Sequence, residues 1–148
     1  MNENKIAHLG FIETTIERMA NNSAAIKGWS MGIVAAILGV GIISGDKLTQ
    51  YRWLFFVCAL LMSLVMWGLD TFYLYQEKLY RNLYSLIKDK KDDEVDYSMD
   101  ARYKTIEKMG KKPMKYIRVL INRTIWPFYS TQIIVFFIFF ILPIFINA

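Results

Sequence analysis

Two uncharged apolar runs stand almost back to back in the first half of the chain, and they limit its folds more than any other feature. The first covers residues 28–45 and the second residues 53–69, with the short polar link 46–52 between them. A helix rises about 1.5 Å per residue, so roughly 17–25 apolar residues cross a hydrocarbon layer about 30 Å thick. Each run meets that length. Residues 24–75 therefore read as a transmembrane helical hairpin. The competing fold is a water-soluble helical bundle with very apolar helices. Uncharged runs this long seldom occur in such folds. A composition that is 55% hydrophobic and 16% aromatic also exceeds what a soluble domain of this size needs.

Residues 1–23 read as an amphipathic helix. Ile6, Leu9, Ile12, Ile16 and Met19 recur at spacings of three and four, with Glu13, Glu17 and Arg18 mostly off that stripe. Asn21, Asn22 and Ser23 supply a break or an N-cap before the first span. The apolar core begins only behind this polar segment and no small-residue cleavage site follows it. The first span is thus expected to be its own uncleaved insertion signal. Within it, Gly28, Gly32 and Ala36 form a ridge of small residues at i, i+4 spacing. Such a ridge lets two helix backbones approach closely in lipid, inside one chain or between subunits. Cys58, the single cysteine, reads as a small packing residue in the second span.

After Asp70 the helical spacing continues through Leu79, Tyr80, Leu83, Tyr84 and Ile87. No proline or glycine interrupts it after Gly68. One helix of about 35 residues is expected, leaving the membrane and entering water. Trp29, Trp67 and Tyr73 suit an interfacial aromatic belt. Residues 88–97 form a charged loop whose acidic cluster, Asp92, Asp93, Glu94 and Asp96, fits no calcium-loop spacing and reads as a solvated turn. A short helix is expected over residues 98–109, capped by Ser98 and ended before Pro113. A second follows over residues 114–122, with Lys115 and Arg118 on one side and Ile117, Leu120 and Ile121 on the other. That pattern suits the surface of an anionic leaflet. A third span is expected from Trp126 to Ile146, with Pro127 at its start and Pro143 kinking its end.

The fold class is thus an all-α membrane protein. It comprises an N-terminal amphipathic helix (1–23), a hairpin (24–75) whose second helix extends into the cytoplasm, short cytoplasmic helices (76–123) and a third transmembrane helix (124–148). Thirteen Lys or Arg fall in residues 76–123, against two in 46–52 and three in 1–27. Positive charge gathers on the cytoplasmic side. The N-terminus and residues 76–123 are therefore expected inside, and the 46–52 link and the C-terminus outside, a cytoplasmic membrane. With the hairpin turning at Leu48, Lys27 and Asp70 lie at similar depth, as do Arg18 and Glu77. Both are candidate ion pairs, because an unpaired charge in hydrocarbon costs several kcal/mol. Lys27–Asp70 either clamps the hairpin or gates an ion path.

Catalytic chemistry finds little footing. His8 is the only histidine and reads as a surface residue near a frayed terminus. No Ser-His-acid set and no Cys/His metal spacing is present, so no catalytic residue, metal or cofactor is assigned. Gly39, Gly41 and Gly45 lack the order of a phosphate-binding loop. A net charge of +5 suits anionic lipid. Nucleic-acid binding is disfavoured, because the basic patch is small and adjoins a span.

Two stretches carry a resemblance. One is His8-Leu9, Ile12, Ile16, Arg18-Met19, Asn22-Ser23 and Lys27-Gly28-Trp29. The other is Trp67, Leu69-Asp70, Tyr73-Leu74, Glu77, Tyr80-Arg81 and Leu83-Tyr84. Over residues 8–84 they resemble a group of small bacterial membrane proteins associated with phage-defence and nucleotide-signalling operons. That resemblance implies an effector that perturbs the bilayer when a partner signals, and it draws attention to Arg18, Asn22, Lys27, Trp29, Asp70 and Glu77. The leading expectation is a homo-oligomeric pore in the bacterial inner membrane, with residues 76–123 as a sensor surface. The alternative is a non-channel anchor that recruits a cytoplasmic protein.

Overall fold

The only prolines are Pro113, Pro127 and Pro143, so nothing in the first 112 residues forbids long helices. In the computed structural model, which describes residues 2–44 and 50–142, two long helices result. They are α1, Glu3–Ser44, and α2, Arg52–Asp89. A 3₁₀ turn over Asp92–Glu94 follows, then α3 (Tyr103–Lys108), α4 (Tyr116–Leu120) and α5 (Trp126–Phe136). A π-turn, Phe137–Ile141, extends α5. The described residues are all-helical and contain no strand. α1 and α2 are each long and apolar enough to cross a membrane; α5 with its π-turn is a shorter apolar helix. The turn expected at Leu48 and the kink expected at Pro143 lie outside the described residues.

α1 runs unbroken through Asn21–Ser23, where a break was expected. Asn and Ser disfavour helix by only about half a kcal/mol each, less than burial of one core side chain contributes. Its buried face passes through Leu9, Ile12, Ile16, Ser23, Ile26 and Ser30, and also takes Lys5, His8 and Thr15. Ile6, expected on that stripe, is exposed. α2 matches the expected long second helix.

The chain divides into two units. The first comprises Met1–Ser23 and Thr71–Val119. Its core joins Leu9, Ile12 and Ile16 of α1 to Leu79, Leu83 and Ile87 of α2, and closes over Val95, Ala101 and Ile106. Lys5 and the backbone amide of Asn2 both bind Asp92, at 3.3 and 2.7 Å. This ties down the start of α1, which sequence reading left frayed. The segment before α3 stays extended. Asp96, Ser98 and Asp100 each accept a hydrogen bond from the backbone N–H two residues on. Such local bonds compete with helix, so α3 begins at Tyr103 and Ser98 is not its cap. Gly110, at φ +89°, takes the left-handed conformation that stops the chain after α3. α4 is held by a Tyr75–Tyr116 edge contact and buries Val119. Ile117, expected on its apolar side, is exposed.

The second unit comprises Ala24–Asp70 and Leu120–Ala148. Ala59, Phe136 and Phe140 form its core, with Val34, Ile37, Leu38, Phe55 and Phe56 against them. Among the described residues of this unit, aromatic rings close on the backbone of α1 at Gly41. A Cβ built there would lie 2.8 Å from Phe139 Cε1 and 3.2 Å from Phe140 Cε1. The expected ridge behaves differently: a Cβ at Gly28 or Gly32 meets nothing within 4 Å, and Ala36 is exposed. It packs no helix of its own chain among the described residues. Cys58 is exposed as well, rather than packed.

Candidate functional site

The second unit carries an internal layer of polar side chains. Each helix supplies two side chains one turn apart: Lys27 and Ser30 from α1, Trp67 and Asp70 from α2, Tyr129 and Gln132 from α5. An i, i+3 spacing places both members of a pair on one face. Lys27 Nζ lies 2.8 Å from Asp70 Oδ1 and 2.7 Å from Oδ2. The Tyr129 hydroxyl donates to Asp70 Oδ2 at 3.3 Å. Asp70 is fully buried, while 24% of the Lys27 side chain is exposed. The pair thus reaches solvent or lipid from the lysine side only. Ser30 Oγ donates to Gln132 Oε1 at 2.9 Å.

Depth counting along the hairpin leads to the same Lys27–Asp70 pair. It does not hold for the other. Glu77 accepts from Arg81 at 2.7 Å, one turn along its own helix, and no Arg18–Glu77 bridge forms among the described residues. A neighbour at i+4 is already in reach, whereas Arg18 would have to cross between helices. Asn22 is half-buried on α1. Trp67 is half-buried: its Nε1–H donates to the Leu120 carbonyl at 3.1 Å and its ring stacks on Tyr129, 6.0 Å between centroids. Trp29 is exposed, and Tyr73 is half-buried with an edge contact to Phe72. Tyr129 and Gln132 escaped sequence reading. Two polar groups one turn apart in an apolar, aromatic segment were the available signal.

Two of the surface depressions in the first unit stand out by volume. One is an apolar groove of about 800 Å³ along α1, lined by Ala7, His8 and Phe11, with Arg18 at its end and Tyr97 and Met99 opposite. His8 is not the surface residue expected. It is buried beneath Tyr97, and its Nε2 has no hydrogen-bond partner. The other is a cleft of about 890 Å³ between α2 and the segment around α4. Lys78, Arg81, Lys112, Lys115 and Arg118 line it, with no carboxylate among the lining residues. No cluster of three or more metal-ligating side chains occurs among the described residues. Comparison with family models, with curated proteins and with solved structures yields no match.

Proposed function

We propose that the chain is a small integral membrane protein of the bacterial inner membrane that self-associates through its first span and perturbs bilayer permeability. The observation that carries this reading is the open small-residue ridge at Gly28, Gly32 and Ala36 on an apolar helix that is itself mostly uncovered. Only 11% of the apolar window of α1, and 22% of that of α2, is buried. A soluble protein would cover such helices, and a helix solvated by lipid need not. The ridge offers a second copy the close backbone approach that the chain's own helices leave unused. α5 serves as the third span. The excess of Lys and Arg over residues 76–123 argues for a cytoplasmic first unit, with the N-terminus on the same side. The resemblance of residues 8–84 to small bacterial membrane proteins associated with phage-defence and nucleotide-signalling operons is in keeping with a role under the control of a partner signal.

A second reading is a non-channel anchor. It draws on the Lys27–Asp70–Tyr129 cluster, which neutralises its own charge and looks more like a clamp than an ion path. Under that reading the first unit recruits a cytoplasmic protein. One experiment separates the two. Carbonate-washed membranes should retain the full chain, nanodisc particles should hold several copies, and planar bilayers should show conductance. Gly32→Leu should reduce both copy number and conductance. A protein released by carbonate sinks both readings. Monomeric particles without conductance, bound to a cytoplasmic protein at fixed stoichiometry, overturn the pore in favour of the anchor.

A further inference from the structure

We propose that the basic cleft of the first unit binds the phosphate headgroup of an anionic phospholipid. Its walls concentrate positive charge that the protein leaves uncompensated. Arg81 is engaged by Glu77, but Lys78, Lys112, Lys115 and Arg118 take part in no salt bridge among the described residues. Four such cations around one opening repel one another, and a bound phosphate relieves that repulsion. Lysine and arginine are also the side chains that hold phosphate oxygens best. Asn82 and the Tyr103 ring complete the lining with neutral groups able to contact a headgroup.

The apolar rim decides between a lipid and a free phosphate. Met114 and Ile117 line the same cleft and are both exposed, Ile117 by 69%. A soluble phosphate gives these side chains nothing to cover them. A phospholipid does, since its glycerol and acyl carbons continue from the phosphate. The alternation of Lys112, Met114, Lys115, Ile117 and Arg118 is that of a segment lying at a charged leaflet. Only seven residues lie between Arg118 and the start of α5 at Trp126. The choice of lipid over soluble anion rests on the membrane reading above, whereas the phosphate chemistry does not.

The test uses the full chain purified in neutral detergent, with retained ligand read by native mass spectrometry. The probes are dihexanoyl phosphatidylglycerol, dihexanoyl phosphatidylcholine, glycerol 1-phosphate and a short single-stranded oligonucleotide. Phosphatidylglycerol should bind best. Each cation near an anionic lipid contributes roughly a fivefold preference. The triple variant Lys112→Gln/Lys115→Gln/Arg118→Gln should thus lose about 100-fold in that affinity. These side chains are exposed, so folding should survive, and a matched triple (Lys88→Gln/Lys91→Gln/Lys104→Gln) removes equal charge outside the cleft. Equal losses in both triples, or equal binding of phosphatidylcholine, would overturn the site. Glycerol phosphate binding as tightly as the lipid would overturn the lipid and leave a soluble phosphate ligand. Tightest binding of the oligonucleotide would overturn both. Carbonate retention reports on the membrane reading separately.

Discussion

Asp70 holds the strongest local constraint in the chain. It is a fully buried carboxylate that takes both a lysine ammonium and a tyrosine hydroxyl. Removing one partner of a buried pair leaves the other uncompensated and costs about 3–5 kcal/mol, while replacing both with apolar groups is often close to neutral. Asp70→Leu alone should therefore lower the melting temperature in detergent sharply, and Lys27→Met/Asp70→Leu should recover much of the loss. A double variant no more stable than the single one would sink the clamp. In the first unit, two half-buried carboxylates respond to acid. Partial loss of solvent pushes Asp92 upward, but the Asn2 amide and the Lys5 ammonium outweigh it and hold the group below its usual 3.8. The Arg102 guanidinium and backbone amide, with the Thr105 hydroxyl, hold Asp100 lower still. A depressed folded pKa gives stability that is complete above the unfolded value and fades as pH falls through the folded one. Protection of the amides over residues 90–102, taken relative to intrinsic exchange at each pH, should thus be unchanged from pH 7 to 5 and fall below the unfolded value of 3.8. Protection already lost at pH 5 would contradict these contacts.

Among the helices, two classes of glycine on α1 separate packing from surface. Gly41 faces Phe139 and Phe140 so closely that a methyl group would force the Phe139 ring to shift. Overpacking of this kind costs typically 1–3 kcal/mol. Gly41→Ala should destabilise the detergent-solubilised protein by about that amount. Gly28→Ala, which meets nothing within 4 Å, should leave the same melt unchanged or slightly improved. Equal effects at the two positions would refute the packing seen here. The contrast also explains why Gly32→Leu is an informative variant. The monomer accommodates it, so a change in copy number reports on contact between copies. The extended segment before α3 shows the opposite lesson. Its side chains bind their own backbone two residues on and postpone the helix to Tyr103.

For the protein as a whole, charge and apolar surface are segregated along the chain. The second unit holds the Lys27–Asp70–Tyr129 cluster inside and turns apolar side chains outward, among them Trp53, Leu61, Val65 and Ile138. The first unit has a core of its own and carries the basic cleft and the apolar groove. In the proposed oligomer the second unit meets lipid and neighbouring copies. The first unit then presents its clefts to headgroups and to a signalling partner. Nanodisc copy number and bilayer conductance test the former role, and lipid retention tests the latter.

Helical class, the two long apolar helices and the reach of α2 well past Asp70 were all legible in the chain. Each depends on runs of residues whose hydrophobicity and spacing act locally, with no proline to interrupt them. The Lys27–Asp70 pair was legible too, because two helices joined by a short link carry equal rises on either side of it. Tertiary structure decided the rest. It buried His8, turned Trp67 onto Tyr129, and made Gly41 rather than Gly28 the point of close approach. Those outcomes hang on which face of α1 and which rings of α5 come together. Such rotations are fixed by packing between residues 60 to 100 positions apart, and a local pattern holds no record of them.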